Sequence, residues 1–407
     1  MSTDIAGSVL HLETRRLATV HGDFEAHVYQ TLSTGRAALA LVRGDVTGPE
    51  SVVARVHSSC VTSEVFGSCD CDCVEQLEAA LAAIADAGRG VLFYLMQEGR
   101  GAGFTAKVRD RMMVQASGER LSTFDAYRRL GLARDHRSYE EVASIGRLLG
   151  IEAPLRLLTG NPEKVEELEL ASVVVVGTLP FHVAPSPFNA HYLRAKAPAS
   201  VTTRDGAETP VATLPEPVDY FEPFVPEGMP GLLCTASYLL PIALPAADTR
   251  ARAGTSGVHW FRLHGYFDLV ANHERAVLVH GEPTTARAAR PPLVRVQSTP
   301  LLDRFSLSDV AADKRRWYAT VRAFVQHGSG CAVFRVAERD GVAPPPEDDG
   351  LAVSRLLAHH LGGRRARPVF DRLQASVRDT ALLEGLRMQG ITLDPPLVLA
   401  STEGNDA

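Results

Sequence analysis

SVVARVHSSCVTSEVFGSCDCDCVEQLEAALAAIADAGRGVLFYL, residues 51–95, is the stretch that decides the fold. Ser51 to Val56 is a short run rich in β-branched residues and reads as a strand. Cys73 to Ala87 has helical periodicity, and Gly90 to Leu95 reads as a second strand after a glycine break. Outward from this unit, Ala37 to Val42 predicts a strand, Tyr139 to Leu149 a helix and Leu155 to Leu158 a further strand. Such alternation argues for an α/β domain. From Lys196 to about Ser256 the texture changes to Pro, Ala, Thr and acidic residues, which reads as a linker with some local packing around Gly231 to Leu244.

The same stretch has an echo later in the chain. Arg55 to Gly101 runs without a gap against Arg295 to Gly341: Arg55-Val56-His57-Ser58 faces Arg295-Val296-Gln297-Ser298, and Gly88 and Gly90 face Gly328 and Gly330. Val20 to Phe24 is echoed by Leu263 to Phe267, and Pro154-Leu155 by Pro396-Leu397. A register kept this long predicts two copies of one domain. Cys60, Cys71 and Cys73 face Pro300, Ala311 and Asp313, so the second copy has lost its sulfurs and reads as a structural or regulatory partner. The expected division is a first domain over 1–200, a linker over 201–256 and a degenerate copy over 257–407.

Composition narrows the function. With 407 residues, 45% of them hydrophobic, the chain can build more than one core. Lys and Arg number 42 against 48 Asp and Glu, a net charge of −6. No broad basic surface is available, which excludes nonspecific nucleic-acid binding; a small anionic ligand needs a few placed cations. The sequence has no leader-like start and no long apolar span, so no membrane is expected and the reading is cytoplasmic.

Four of the six cysteines, Cys60, Cys69, Cys71 and Cys73, lie within fourteen residues. Three thiolates, from Cys60, Cys71 and Cys73, with a fourth position open describe a catalytic zinc site that activates water. Cys69 could instead close a structural four-sulfur site, although three alternate residues of one segment do not easily reach one tetrahedron. His57 is a competing ligand, read as a packed residue, and a site without metal is the remaining alternative. Cys234 and Cys331 read as inert core thiols.

Arg55-Val-His-Ser-Ser-Cys60, Thr62 to Ser68, Cys71-Asp-Cys73 and Gln76-Leu-Glu78 together resemble the GTP cyclohydrolase II family of riboflavin synthesis. The likeness continues through Gln97-Glu-Gly-Arg100, Leu130-Gly131, Asp135-His-Arg137, Leu157-Leu-Thr159-Gly-Asn-Pro162-Glu-Lys164 and Asn189-Ala-His-Tyr192, over residues 15 to 200. It implies a mixed sheet with flanking helices, here tandemly duplicated. It also implies hydrolysis of GTP at the imidazole C8 with loss of formate and pyrophosphate, using zinc and, with the triphosphate, magnesium. On this likeness Cys60, Cys71 and Cys73 hold the zinc and Asp135 accepts a proton. Arg137 acts at the α-phosphate, where a guanidinium is more naturally a clamp than a nucleophile. GTP contacts fall to Arg55, Gln76, Glu98, Gly99, Arg100, Thr123, Thr159 and Lys164, with the Glu98 carboxylate suited to the guanine amino edge. Family members dimerise, so a homodimer or an intramolecular pseudo-dimer with one working site is expected.

Several residues depart from the family pattern. The catalytic tyrosine expected after Gln97-Glu-Gly-Arg100 is replaced by Arg111, followed by Met112 and Met113. Asp70 stands where the family prefers arginine, Val74 replaces a glycine, Gly101-Ala102 an Asn-Ile pair, and Ala184 an arginine. Two further readings follow: a diverged enzyme that stops at the formylated pyrimidine or takes another nucleotide, and a catalytically silent nucleotide-binding regulator.

Overall fold

The computed structural model describes residues 5–179, 183–196, 209–244, 257–283, 290–297, 312–336, 346–362, 365–371 and 377–399. The first half contributes β1 (Ile5–Ala6), β2 (Val9–Thr19), β3 (Gly22–Thr31), β4 (Ala37–Arg43), β5 (Val52–Ser58), β6 (Gly90–Leu95), β7 (Leu155–Leu158) and β8 (Val175–Leu179). Its helices are α1 (Val61–Glu64), α2 (Cys73–Ala87), α3 (Phe104–Ala116), α4 (Thr123–Arg129), α5 (Glu140–Leu148), α6 (Pro162–Leu170) and α7 (Ala190–Lys196). The second half contributes β9 (Leu232–Ala243), β10 (Val258–Asp268), β11 (His273–His280), β12 (Leu293–Gln297), β13 (Gly330–Val336), β14 (Arg365–Phe370), β15 (Thr392–Leu393) and β16 (Leu397–Val398). Its helices are α8 (Ala312–His327), α9 (Pro346–Leu361) and α10 (Val377–Met388).

The unit read first from sequence is the centre of the first sheet. β5 and β6 are parallel neighbours and α2 is the crossover between them. α2 ends where Gly88 takes φ 68, a left-handed turn that a glycine enters without a Cβ clash. Every residue of β6 is buried because both sheet faces are covered. Leu77, Ala80, Leu81 and Ile84 of α2 pack with Leu39, Leu41, Leu92 and Tyr94 on one face. On the other, Val142 and Ile145 of α5 and Leu168 of α6 pack with Ala54, Val56, Val91 and Phe93. β7 and β8 extend the parallel part, β2 to β4 are antiparallel, and the order is β1-β2-β3-β4-β6-β5-β7-β8. The expected mixed sheet with flanking helices is therefore present.

A second eight-stranded sheet runs β15-β14-β12-β13-β11-β10-β9, with β16 also on β14. Its centre is again a parallel pair, β12 and β13, joined through α8. Two sequence expectations need correction here. Residues 232–243, placed inside the linker, form β9, paired with β10 along its length, so the second sheet starts before residue 257. The strand beside β12, in the place β7 holds beside β5, is β14, and β16 lies one step further out. The alignment of Pro396-Leu397 with Pro154-Leu155 is thus displaced by one strand. Pro300 and Ala311, facing Cys60 and Cys71 in the repeat, lie outside the described residues, as does the side chain of Asp313.

The halves share a core. Phe66, Phe104, Val108 and Met112 of the first pack with Ala236, Tyr238, Leu240, Leu263, Trp317 and Phe334 of the second. The Trp317 indole Nε1 donates to the Phe66 carbonyl at 3.0 Å, and its ring meets Phe334 edge-on at 4.7 Å. Gly265 admits this approach, since a Cβ there would lie 2.8 Å from Val108 Cγ2. α3 also covers β9, an edge strand: the Gln115 amide donates to the Leu239 carbonyl at 2.7 Å and accepts from the Leu239 N–H at 2.8 Å. Satisfying the edge in this way removes a template for aggregation. Among the described residues no helix is long and apolar enough to cross a membrane.

Candidate active site

The carboxyl ends of the parallel strands β5, β6 and β7 open onto one cleft of about 660 Å³, the end at which open α/β sheets bind ligands. The chain leaving β5 delivers Cys60, and the start of α2 returns Cys71 and Cys73 to it. The three Sγ atoms lie within 4.8 Å of one another, with Cys60 and Cys71 3.6 Å apart. A tetrahedron built on zinc–sulfur bonds of about 2.3 Å spaces its sulfurs by about 3.8 Å, so this soft donor set fits zinc. Hydrogen bonds from the Cys71 and Cys73 thiols hold Cys60 well below the usual thiol range against the opposing effect of burial, helped by Lys107. The same bonds, with burial, push Cys71 and Cys73 up. Cys60 is thus the thiol most readily ionised, and a dication held by the three sulfurs would supply the charge that ionises the others.

Cys69 does not join the cluster. Its Sγ donates to the Pro241 carbonyl of β9 at 3.5 Å, and burial pushes its thiol up to about 12. His57 is likewise a packed residue: its Nε2 pairs with Glu64 at 2.8 Å, and Tyr94 donates to the other Glu64 oxygen at 2.5 Å. Among the described residues the three-cysteine group is the only candidate metal cluster.

Of the residues expected from sequence, Arg55, Gln76, Glu98, Gly99, Arg100, Thr123, Asp135, Arg137 and Lys164 line the cleft with the three cysteines. Thr159 does not. Its hydroxyl accepts from the Asn161 N–H at 3.1 Å, shaping the turn that presents Gly160 and Asn161 instead. Asn161 then caps α6 by accepting from the Glu163 N–H, with Pro162 in the first turn. Arg55 is buried and donates to the Leu158 carbonyl and to Gln76 Oε1, both at 2.6 Å. Asp135 and Arg137 form a fork-like pair, with Arg137 Nε 2.9 Å from Asp135 Oδ1. Burial pushes the Asp135 carboxyl up, but the Arg137 guanidinium more than offsets it, and Arg137 itself is held above its usual value. A guanidinium so held keeps its charge, the property a phosphate clamp needs.

Glu98 lines the cleft as expected, but its oxygens already have protein donors. Its Oε2 accepts from the Val61 N–H at 2.7 Å and its Oε1 from Lys107 Nζ at 2.6 Å, and it is 1% exposed. Both oxygens are engaged by protein donors, so the carboxylate steadies Lys107, whose Nζ also lies 3.0 Å from Cys60 Sγ.

Sequence reading missed Lys107, Asp110, Arg134, Tyr192 and Lys196, which also line the cleft. Lys107, Asp110 and Arg111 follow the i, i+3, i+4 spacing of one helix face, a signal present in the sequence once α3 is placed. Arg111, where a tyrosine was expected, is buried against Asp70, 3.5 Å from its Oδ2, and its guanidinium lies 4.6 Å above the Tyr192 ring. Two departures from the family pattern, Asp70 and Arg111, therefore meet each other as an ion pair.

Lys164 is the strongest reporter of an anionic ligand. Its Nζ donates to the Val56 carbonyl at 2.9 Å, and burial, with Arg55 and Arg137 nearby, holds the amine well below the usual lysine range. A bound polyphosphate raises it again. Binding is therefore expected to take up a proton, and affinity to fall as pH rises from the free-state value toward the bound one. Calorimetry in two buffers of different ionisation heat reads this directly; equal heats, or uptake that survives Lys164→Met, would contradict it.

A family profile described as GTP cyclohydrolase II matches residues 11–180. The GTP cyclohydrolase-2 of Cronobacter sakazakii is 46% identical over 182 residues, covering 45% of this chain and 90% of that protein. That of Escherichia fergusonii is 45% identical over 182 residues, with 45% and 90% covered. Among solved structures, a two-domain 3,4-dihydroxy-2-butanone 4-phosphate synthase from A. baumannii is 18% identical with a TM-score of 0.25, covering 44% of this chain and 41% of that one.

Proposed function

The chain belongs to the GTP cyclohydrolase II family, and from that premise we propose that it opens the imidazole ring of GTP by zinc-dependent hydrolysis at C8, with loss of formate and pyrophosphate. The observation that carries this reading is the convergence of three sulfurs at the floor of a cleft rich in cations. Zinc held by Cys60, Cys71 and Cys73 would supply Lewis acidity and water activation at neutral pH. Lys107, whose Nζ lies 3.0 Å from Cys60 Sγ, helps to hold Cys60 in its charged form. Arg55, Arg137 and Lys164 bind the triphosphate with its magnesium, and Asp135, beside Arg137, is the carboxylate placed to carry protons. These few cations attract a tetra-anion to a chain of net charge −6. Incubation with GTP, zinc and magnesium, followed by mass analysis, is expected to give formate and a diaminopyrimidine ribosylamino phosphate. Unchanged GTP would defeat the reading.

One observation favours a second product. Arg111, tied to Asp70, occupies the place of the family tyrosine, so a phenolic proton source is missing there. The reaction then ends with the formyl group retained. If so, the double exchange Asp70→Arg with Arg111→Tyr is expected to raise formate released per GTP opened by about a hundredfold, the scale of one positioned acid or base. An unchanged ratio would remove this alternative.

The second half is read as a degenerate copy of the first, supported by the common strand order of the two sheets. Among the described residues, all those lining the cleft lie between 55 and 196. The second half accordingly serves as an intramolecular partner that backs α3, giving a pseudo-dimer with one working site, and the chain is assigned to the cytoplasm.

A further inference from the structure

Among the buried polar atoms of cleft-lining residues that lack a partner among the described residues are Asp110 Oδ1 and Arg100 Nη1. Asp110 is 3% exposed, and its other oxygen accepts from the Thr123 hydroxyl at 2.6 Å, which fixes the carboxylate plane. Arg100 is held by an unusual backbone. It takes φ 55 between two glycines, and its guanidinium lies 4.1 Å from the centre of the Phe124 ring. The two side chains line the same cleft; burial pushes the Asp110 carboxyl up to about 6, against the pull of Arg111, the Thr123 hydroxyl and, more weakly, Arg100. No hydrogen bond joins Asp110 and Arg100.

An unpaired buried acceptor and an unpaired buried donor are costly singly, and each is satisfied by a ligand offering the opposite group. The edge that offers an acceptor beside donors is that of guanine: O6 next to N1–H and the 2-amino group. Adenine presents a donor where guanine has O6, and an acceptor at N1. Glu98, the residue expected to read this edge, has both oxygens engaged by Val61 and Lys107. Asp110 also stands at a suitable place. It lies three residues beyond Lys107 on α3, about 4.5 Å along the axis, and Lys107 touches Cys60. A base whose C8 faces the sulfurs would reach toward Asp110 with its opposite edge.

We propose that Asp110 and Arg100 read the guanine edge of the nucleotide, Asp110 accepting from N1–H or the 2-amino group and Arg100 donating to O6, with Thr123 as the residue that positions Asp110. This rests on the GTP reading of the cleft. It assigns Arg100, expected from the sequence as a GTP contact, to the base.

Asp110→Asn tests it. With Thr123 still donating to the remaining oxygen, the free atom becomes an N–H donor, which suits the C2 oxygen of xanthine and opposes the 2-amino group of guanine. Dissociation constants for GTP and XTP are measured by calorimetry on the full chain with zinc withheld. The parent is expected to prefer GTP by at least about tenfold, and Asp110→Asn to prefer XTP. A variant that binds GTP with the parent's preference overturns the inference and leaves the GTP reading intact. A parent that binds no nucleotide overturns both. Should Asp110→Asn fail to fold, Arg100→Gln examines the other end of the edge. It is expected to lose the preference for GTP over 2-aminopurine riboside triphosphate, which lacks O6, and an undiminished preference overturns the inference.

Discussion

Replacing Cys71 by serine is expected to strip the cleft of its metal and to lower GTP opening by more than about a hundredfold. Changing a residue that only hydrogen-bonds a metal's ligand already costs roughly 10- to 100-fold in metal affinity or activity, and Cys71 is one of three donors, its Sγ 3.6 Å from that of Cys60. Serine keeps the shape but offers a hard oxygen that does not ionise near neutral pH, leaving two soft ligands. Metal content and rate are measured together on the purified full chain. Cys69→Ser is the control: its thiol bonds to Pro241 across the junction of the halves, so zinc and rate should both persist. Retention of metal and rate by Cys71→Ser would contradict the assignment.

Trp317→Ala is expected to destabilise the chain by about 3–5 kcal/mol, the usual cost of emptying a large buried aromatic site. Trp317 is 1% exposed, and its loss also leaves the Phe66 carbonyl without its donor. Against a total stability of about 5–15 kcal/mol this is a large fraction. Phe66 lies between Cys60 and Cys71 in sequence, so the loop that spaces the sulfurs loosens with the junction. Urea unfolding should show one lowered midpoint for both halves, with metal lost in the same transition. Two independent transitions, with the first-half transition where the parent has it, would show that the second half does not support the site.

Much of the first half was legible because its strands are buried on both faces. Ala37 to Val42, Gly90 to Leu95 and Leu155 to Leu158 were read within a residue of β4, β6 and β7, and Cys73 to Ala87 matches α2. The hairpin of β2 and β3 was not read as strands, since most of β2 is exposed or half-buried and carries His11, Glu13, Arg15 and Arg16 in place of an apolar alternation. α3 was missed for the opposite reason. Arg109, Asp110 and Arg111 are buried in the cleft or against the second half, so polarity no longer marks the solvent side. Motif order brought twelve of the thirteen expected site residues to the cleft, and Thr159 stands just behind it. What spacing could not convey was which polar atoms are already used: Glu98 and Asp110 are both buried carboxylates, and only the positions of Val61, Lys107 and Thr123 tell the occupied one from the half-free one.

X-ray absorption at the zinc edge of the purified full chain tests the central claim most directly. One zinc per chain with three sulfurs at about 2.3 Å and one lighter atom is the predicted coordination. Four sulfurs around the metal, or clean protein without it, would contradict a hydrolytic centre built on Cys60, Cys71 and Cys73.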